Sequence, residues 1–363
     1  MPAEYILSDI SKLKNLLDES KNIVITCHLS PDGDALGSSL GLKRILENYK
    51  PTGKVDVVTP DEPTKTLAFL PGFNTITAFS HFPQRVAALL RKADVVFCLD
   101  FNALSRIDKL APSVEKSSAK KILIDHHTGP EAFTDITFSY PAKCSTCLLL
   151  YQLMVAADMT RYIDAGAADC LLTGMMTDTG DFSYNVEDPG IYVAIGGLIE
   201  KGADKSRLTR LLFNTFSESN LRIQGYALAQ KMEVFYDEHA ALICIDRAEL
   251  NRFNYKKGDT EGLVNKPLAI PGILYSCFLR EETDYIKVSM RSLGDIPVNK
   301  ICGDYFNGGG HLNAAGGEFY GTMDECANIF RNILSENKRK YIDDSICVKK
   351  ILKEETENNQ SNK

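Results

Sequence analysis

The stretch ITCHLSPDGDALGSSLGL, residues 25–42, decides the fold of this chain. An apolar strand, Ile23–Thr26, leads into its loop, and an amphipathic helix is predicted to begin near Ala35. Strands and helices that alternate in this way along a chain predict a mostly parallel sheet with helices on both faces. In such sheets ligands bind where the loops leave the carboxyl ends of the strands. The stretch therefore predicts an α/β fold with a candidate site in this loop.

The loop carries three residues of metal-ligating type, His28, Asp32 and Asp34, within seven positions. Gly33 lies between the two aspartates and allows the backbone to turn tightly. Imidazole and carboxylate groups are ligands for divalent cations. The alternative is an Asp-rich turn that caps the helix, because Asp serves both purposes. We favour the metal site.

Further residues of the same kind follow later strands. The apolar run Ala93–Leu99 is predicted to be a strand buried on both faces, and it ends at Asp100. Lys121–Ile124 is a second short strand that ends in Asp125–His127, and a helical pattern leads into Asp178. A single Asp after a strand is usually a cap, and a single His is usually a polar residue with its bonds satisfied. Four such loops at one edge of a parallel sheet indicate metal chemistry.

These residues carry a resemblance to a known family. HLSPDGDALGSSLGL (28–42), the Asp100 loop, Asp125–His127 and TDTGDF (177–182) resemble the four motifs of the DHH phosphoesterase superfamily. GGGHLNAAGG (308–317) resembles the signature of the DHH-associated C-terminal domain. The order and spacing of the motifs resemble the short branch of oligoribonucleases (nano-RNases) and 3′-phosphoadenosine 5′-phosphate (pAp) phosphatases.

The resemblance covers roughly residues 5–345 and implies a two-domain architecture. The fold class that we expect is α/β, a mostly parallel sheet flanked by helices, followed by a smaller mixed α/β domain, with the active site in the cleft between them. We expect four segments: a DHH catalytic domain at 1–187, a helical connector at 188–230, a DHH-associated substrate-binding domain at 231–345 and a disordered tail at 346–363.

The resemblance also implies two bound divalent ions; we expect Mn²⁺, with Mg²⁺ or Co²⁺ as substitutes. Asp125 is then expected to orient its neighbours, and His127 to face the substrate, where it contacts a phosphate oxygen or protonates the leaving group. The alternative for His126 and His127 is a pair of surface histidines on a turn. The implied ligand sets are His28, Asp32 and Asp100 for one ion, and Asp34, His126 and Asp178 for the other, with Asp100 bridging both.

The C-terminal domain is expected to bind the substrate. Gly308, Gly309 and Gly310 allow backbone N–H groups to approach an anion closely, and Ala314–Gly317 is predicted to open a helix whose N-terminus favours negative charge. His311 and Arg291 are candidate phosphate ligands, since Arg can bind phosphate through two hydrogen bonds. The alternatives are a flexible turn for the Gly-rich segment and a surface charge at a strand end for Arg291.

Composition and charge narrow the class of protein. The 363 residues favour two domains, and no apolar stretch approaches the roughly 18 residues of a membrane span. A signal-peptide pattern is missing, and the ten scattered cysteines suit buried thiols in a reducing cytoplasm. Cys144 and Cys147 are expected to pack at helical spacing rather than to bind zinc. The net charge of −7 argues against broad binding to long duplex nucleic acid. An acidic protein can nevertheless contain a local basic groove.

The sequence thus predicts a cytoplasmic two-metal phosphoesterase that hydrolyses short single-stranded RNA and pAp by attack of a metal-bound hydroxide. Its partners are expected to be the nucleotide substrate and, from the resemblance, a second copy of the chain, with neither long duplexes nor membranes. The alternatives are a linear dinucleotide or cyclic di-AMP phosphodiesterase, an inorganic pyro- or polyphosphatase, and a non-catalytic nucleotide-binding protein. One departure is Asp181, where many relatives carry Arg after the TDTG motif.

Overall fold

The computed structural model describes the backbone of residues 7–361 and the burial of side chains from 9 to 354. The chain divides into two compact units, of which the first ends at Thr215 and the second begins at Phe216. Within the described residues no helix has both the length and the apolar character that a membrane span requires.

The first unit is built on a six-stranded parallel sheet. Its strands, in the spatial order β3-β2-β1-β4-β5-β6, place β1 between β2 and β4. The order of the strands reverses at the β1–β4 pair, and the crevice at the carboxyl ends of such a pair is where open α/β sheets bind ligands. The strands are β1 Asn22–Thr26, β2 Lys54–Thr59, β3 Thr77–Ala78, β4 Val95–Leu99, β5 Lys120–Asp125 and β6 Ile136–Ser139.

Helices cover both faces of this sheet. The strand and helix predicted around residues 25–42 are confirmed as β1 and α2, and the runs before Asp100 and Asp125 are confirmed as β4 and β5. The helices are α1 Leu7–Glu19, α2 Gly33–Tyr49, α3 Pro83–Lys92, α4 Ala111–Glu115, α5 Thr146–Ala156, α6 Ala165–Asp178, α7 Pro189–Glu200 and α8 Lys205–Phe213.

The central helix α2 packs closely on α6 because Gly37 faces its partner. A Cβ at Gly37 would lie 2.5 Å from the carbonyl oxygen of Cys170, which no real side chain tolerates without movement of the backbone. The two helices carry Asp34 at the start of α2 and Asp178 at the end of α6. The close approach therefore brings two predicted metal ligands towards each other.

The second unit is built on a six-stranded mixed sheet in the order β11-β12-β10-β9-β8-β7. All its pairs are antiparallel except β8 with β9. The strands are β7 Met232–Phe235, β8 Ala240–Ile245, β9 Tyr275–Glu281, β10 Ile286–Ser292, β11 Gly309–His311 and β12 Ala314–Phe319. The helices are α9 Glu218–Tyr226, α10 Arg247–Arg252, α11 Val298–Tyr305, α12 Met323–Asn337 and α13 Ile346–Ser361.

The prediction that Ala314–Gly317 opens a helix is wrong, because these residues belong to strand β12. The strand pairs with β10 on one side and with β11 on the other. Its small residues permit close approach of neighbouring chain: a Cβ at Gly317 would lie 2.2 Å from the carbonyl oxygen of Phe306. The run of small residues is thus explained by crowding in the sheet, and the favourable potential of a helix N-terminus is not available here.

The predicted connector at 188–230 does not form a separate segment. Helices α7 and α8 pack on the core of the first unit through Leu198 and Leu208, which are fully buried. Helix α9 packs on the second unit through Ile223. The prediction of helices was correct, but the boundary falls inside the segment, because the apolar faces of its helices belong to two different cores.

The predicted disorder at 346–363 also differs from the structure, in which 346–361 form helix α13. Val348 is fully buried in the core of the second unit, and Ile351 and Leu352 pack against that core. These apolar residues recur at helical spacing just before the polar stretch that suggested disorder. They give this helix a packed face.

Candidate active site

His28 and Asp100 lie at the carboxyl ends of the neighbouring strands β1 and β4. Nε2 of His28 is 3.4 Å from Oδ2 of Asp100 and 3.7 Å from Oδ1 of Asp32. These separations are longer than hydrogen bonds, and they suit donor atoms that share one cation. His28, Asp32 and Asp100 thus form one group of ligand atoms that a metal ion could occupy.

A second group lies beside the first. Nε2 of His126 is 3.5 Å from Oδ2 of Asp178 and 3.9 Å from Oδ2 of Asp34. It is also 3.5 Å from Oδ1 of Asp100, whose other oxygen faces His28. Asp100 therefore presents one oxygen to each group and could serve as a ligand to an ion in both.

The start of helix α5 holds two of these carboxylates in place. The backbone N–H groups of Thr146 and Cys147 donate to Asp34 at 2.6 and 2.9 Å, and the Thr146 hydroxyl donates to Asp100 at 3.0 Å. A helix N-terminus stabilises negative charge in this way. Sequence reasoning missed Thr146. Its signal is the Ser145 cap of α5, but nothing in the sequence connects that cap with Asp34, 112 positions away, or with Asp100, 46 positions away.

Asp32 combines both roles that the sequence left open. Its Oδ1 accepts the N–H groups of Asp34 and Ala35 at 3.0 Å and so caps α2. The same oxygen is the one that faces His28. The helix cap and the candidate metal ligand are therefore one side chain, and the cap fixes its orientation.

Both histidines of the two groups are oriented as metal ligands are. Nδ1 of His28 donates to the carbonyl oxygen of Leu29 at 2.8 Å, and Nδ1 of His126 donates to that of Lys143 at 3.2 Å. A metal-ligating His donates its second ring N–H to such a group, which fixes the tautomer and directs the other nitrogen at the ion. The donor set and its orientation thus fit two divalent cations.

The crowding of acids strongly perturbs their ionisation without cations. Burial, and then repulsion from Asp100, raises the pKa of Asp34 to about 7, while burial and the charges of Asp34 and Asp100 raise the pKa of Asp178 to about 11. Burial opposes the charge of His28, but the nearby carboxylates of Asp100 and Asp32 outweigh this and raise its pKa to about 10. Additional positive charge would therefore favour the ionised forms of Asp34 and Asp178.

Asp125 and His127 form a separate pair next to Asp100. Nδ1 of His127 donates to Oδ1 of the fully buried Asp125 at 2.7 Å, and the same nitrogen is 3.8 Å from Oδ1 of Asp100. The side chain of His127 is 31% exposed, so its Nε2 is available to a ligand. His127 also forms a third group of potential ligand atoms with Asp100 and His126, whereas Asp125 belongs to none of the three, which agrees with an orienting role.

Asp181 pairs with a cation inside the first unit. Nζ of Lys205 is 2.8 Å from its Oδ1, and the Thr209 hydroxyl donates to its Oδ2 at 3.3 Å. A positive charge from α8 therefore lies beside Asp181.

The predicted substrate ligands of the second unit line one cavity of about 450 Å³. Arg291, Gly309, Gly310 and His311 lie on its wall. Gly308 lies outside it, because its Cα packs against β12: a Cβ there would be 2.1 Å from the carbonyl oxygen of Gly316.

Fold and site together define a hydrolase of the DHH class. The DHH family N-terminal domain matches residues 22–175 and the DHHA1 domain matches residues 240–337, and the chain belongs to this family. It is similar to the bifunctional oligoribonuclease and PAP phosphatase NrnA of Thermus thermophilus, at 31% identity over 82% of this chain and 84% of the relative. It is 28% identical to NrnA of Bacillus subtilis over 86% of this chain and 93% of that protein.

A solved structure resembles the chain over most of its length. It is an exopolyphosphatase-related protein from Bacteroides fragilis, 43% identical, with a TM-score of 0.88 over 93% of this chain and 99% of the other. The family and the fold class predicted from the sequence are thereby confirmed.

Proposed function

We propose that this protein hydrolyses short oligoribonucleotides and the 3′-phosphate of pAp with the help of two divalent cations. The observation that carries the proposal is Asp100, whose two oxygens face His28 and His126 at 3.4 and 3.5 Å. The two NrnA relatives, bifunctional oligoribonucleases and PAP phosphatases, support the substrate class.

The chain's own residues would hold the ions and move the proton. His28, Asp32 and Asp100 hold one cation, and Asp34, His126 and Asp178 hold the other, with Asp100 shared. When bound, such a pair of ions activates a water for attack on phosphorus and neutralises the charge that develops on the phosphoryl oxygens. The mixture of imidazole and carboxylate ligands supports Mn²⁺ as the native ion, with Mg²⁺ or Co²⁺ as substitutes.

His127 is the candidate general acid. Asp125 fixes the orientation of its ring, so that Nε2 faces away from Asp125 and can donate to a phosphate oxygen or to the leaving group. In the second unit Arg291 and His311 would bind a terminal phosphate, and Gly309 and Gly310 would offer it backbone N–H groups. Binding in a cleft between the two units, a homodimer and a cytoplasmic location stay predictions.

A second candidate function is hydrolysis of polyphosphate or pyrophosphate. The exopolyphosphatase-related name of the 43% identical structure favours it. The same ions would serve that reaction, so the two candidates differ in what the second unit binds rather than in the metal centre.

One panel of substrates separates the candidates. Purified protein with Mn²⁺ is offered pAp, a ribo-dinucleotide, cyclic di-AMP, pyrophosphate and polyphosphate, with Asp100→Asn and an EDTA-treated sample as controls. Turnover of pAp and the dinucleotide, lost in both controls, is the expected result. Turnover of polyphosphate alone would replace the proposal by the second candidate, and binding without any turnover would leave the non-catalytic alternative.

A further inference from the structure

The loop between β1 and α2 reverses direction between two of the proposed metal ligands. His28 and Asp32 are four residues apart, and an extended chain would separate their Cα atoms by about 13 Å. Nε2 of His28 is nevertheless 3.7 Å from Oδ1 of Asp32. Ser30, midway between them, has a φ of +53°. The left-handed backbone of Ser30 thus lies at the centre of the reversal that brings the two ligand atoms together.

The local sequence opposes this conformation of Ser30. A Cβ makes a positive φ unfavourable for residues other than glycine, with Asn and Asp the usual exceptions. Pro31 follows, and a residue before proline is restricted towards extended conformations with a negative φ. Backbone of this kind persists only where the surrounding structure holds it. Contacts from outside the loop are therefore needed to keep the turn.

Asp61 supplies such contacts from the loop after β2. Its Oδ1 accepts the backbone N–H of Ser30 at 2.7 Å, and its Oδ2 accepts the Ser30 hydroxyl at 3.2 Å. Strand β2 pairs with β1, which places the two loops side by side. The hydroxyl of the fully buried Thr59 donates to the carbonyl oxygen of Asp61 at 2.7 Å. Asp61 is therefore anchored to the sheet and holds Ser30 with both carboxylate oxygens.

One peptide group connects Asp61 with the imidazole of His28. The Ser30 N–H that donates to Asp61 belongs to the same peptide as the Leu29 carbonyl oxygen, which accepts Nδ1 of His28 at 2.8 Å. Because a peptide group is planar, a bond that fixes its N–H also fixes the direction of its carbonyl oxygen. The hydrogen bond from Ser30 to Asp61 thus orients the group that in turn orients His28.

We propose that Asp61 is a positioning residue for the cation of the His28, Asp32 and Asp100 group. Through the peptide between Leu29 and Ser30 it directs Nε2 of His28 at the ion, and through the turn at Ser30 it brings Asp32 to the same ion. Asp61 itself belongs to none of the groups of potential ligand atoms found among the described residues. The proposal rests on the two cations of the proposed function.

The test measures Mn²⁺ affinity, which does not require turnover. Full-length protein is freed of metal with EDTA, desalted and titrated with Mn²⁺ in a calorimeter, and the wild type is expected to show two binding steps. The step that weakens in Asp32→Asn is assigned to the His28 group, since Asn still caps helix α2. Each variant is first checked for an unchanged melting temperature.

Asp61→Ala removes both hydrogen bonds to Ser30. It is expected to weaken the assigned step about 10-fold, as loss of a partner that orients a metal ligand does, and to change the other step less than 2-fold. Asp61→Asn keeps an acceptor for the Ser30 N–H, and its amide can donate to the Ser30 hydroxyl, so both steps should stay within about 3-fold of wild type. Glu62→Ala is the matched control: it removes the adjacent negative charge, which faces His81 at 3.6 Å, and should change neither step.

Ser30→Gly tests the backbone strain directly. Glycine adopts a positive φ without steric cost, so the double variant of Asp61→Ala with Ser30→Gly should recover to within about 3-fold of wild type. Equal weakening by Asp61→Asn and Asp61→Ala would show that the charge acts rather than the position, and would overturn the proposal. An unaffected Asp61→Ala, equal weakening of both steps, or no recovery in the double variant would also overturn it.

The same titration separates this proposal from the proposed function. Two Mn²⁺ steps in the wild type with an unaffected Asp61→Ala would contradict the positioning role alone. Fewer than two steps in the wild type would contradict the proposed function, and this inference with it.

Discussion

The carboxylate of Asp125 accepts two hydrogen bonds from His127, one from the ring Nδ1 at 2.7 Å and one from the backbone N–H at 3.1 Å. The pair fixes both the tautomer and the direction of the imidazole, because a ring that donates from Nδ1 to a buried carboxylate presents Nε2 outward.

Asp125→Asn should therefore lower kcat without removing the metal centre. An amide can donate to Nδ1, which favours the wrong tautomer, and we expect kcat to fall about 10²- to 10⁴-fold. Mn²⁺ affinity measured by calorimetry should change less than about 3-fold. Asp9→Asn, at an exposed pair with Lys12, is the matched control. A loss of metal binding in Asp125→Asn would instead make Asp125 a ligand.

His311→Ala should act on binding. His311 lines the cavity of the second unit and belongs to none of the groups of potential metal ligands. Loss of one hydrogen bond to a charged phosphate is expected to raise KM about 10-fold with kcat nearly unchanged. His81→Ala is the control: it removes a histidine of the first unit whose side chain is 52% exposed, and it should change neither KM nor kcat. A fall in kcat at constant KM would contradict the binding role.

Gly37→Ala tests the close packing of α2 on α6. The new Cβ would lie 2.5 Å from the Cys170 carbonyl oxygen, so the helices must separate. We expect the free energy of unfolding to fall by about 1–3 kcal/mol in spite of the better helix propensity of Ala. Gly196→Ala in α7 is the control: nothing lies within 4 Å of its new Cβ, and it should gain up to about 1 kcal/mol. Chemical denaturation measures both, and a stabilised Gly37→Ala would refute the packing.

The Arg44–Asp164 pair predicts a change of stability in acid. The hydrogen bond from Arg44 lowers the pKa of Asp164 to about 2. A lowered pKa contributes stability above the unfolded value near 4, and that stability is lost as the pH falls through 2. Both side chains are more than a third exposed, so screening limits the contribution to about 1 kcal/mol.

Asp164→Asn removes this charge and keeps the helix cap, since Asn also caps well. The difference in unfolding free energy between wild type and variant should be full at pH 6 and should shrink between pH 4 and pH 2. Urea denaturation at these pH values measures it. A difference that is independent of pH would show that the charge contributes nothing.

Much of the candidate site was predictable because its proposed ligands follow strands. His28, Asp100 and Asp125 come directly after apolar runs, and a parallel sheet brings the carboxyl ends of its strands to one edge. Asp34 and Asp178 depend on helix packing through Gly37, whose partner the sequence does not name.

The errors concern segments whose structure depends on distant contacts. The small residues 314–317 were predicted to begin a helix, because the local sequence does not reveal that Phe306 lies against Gly317. The polar C-terminal stretch suggested disorder, although the apolar face just before it packs Val348 into the core of the second unit. Thr146 donates hydrogen bonds to Asp34 and Asp100, which are more than forty residues away in the sequence. No local motif predicts these hydrogen bonds.

The pair of cations shared by Asp100 is most directly tested by anomalous diffraction at the manganese edge from crystals grown with Mn²⁺. The account predicts two anomalous peaks, one contacted by His28 and Asp32 and the other by Asp34, His126 and Asp178, with an oxygen of Asp100 on each. A single peak, or peaks that Asp100 does not join, would contradict it.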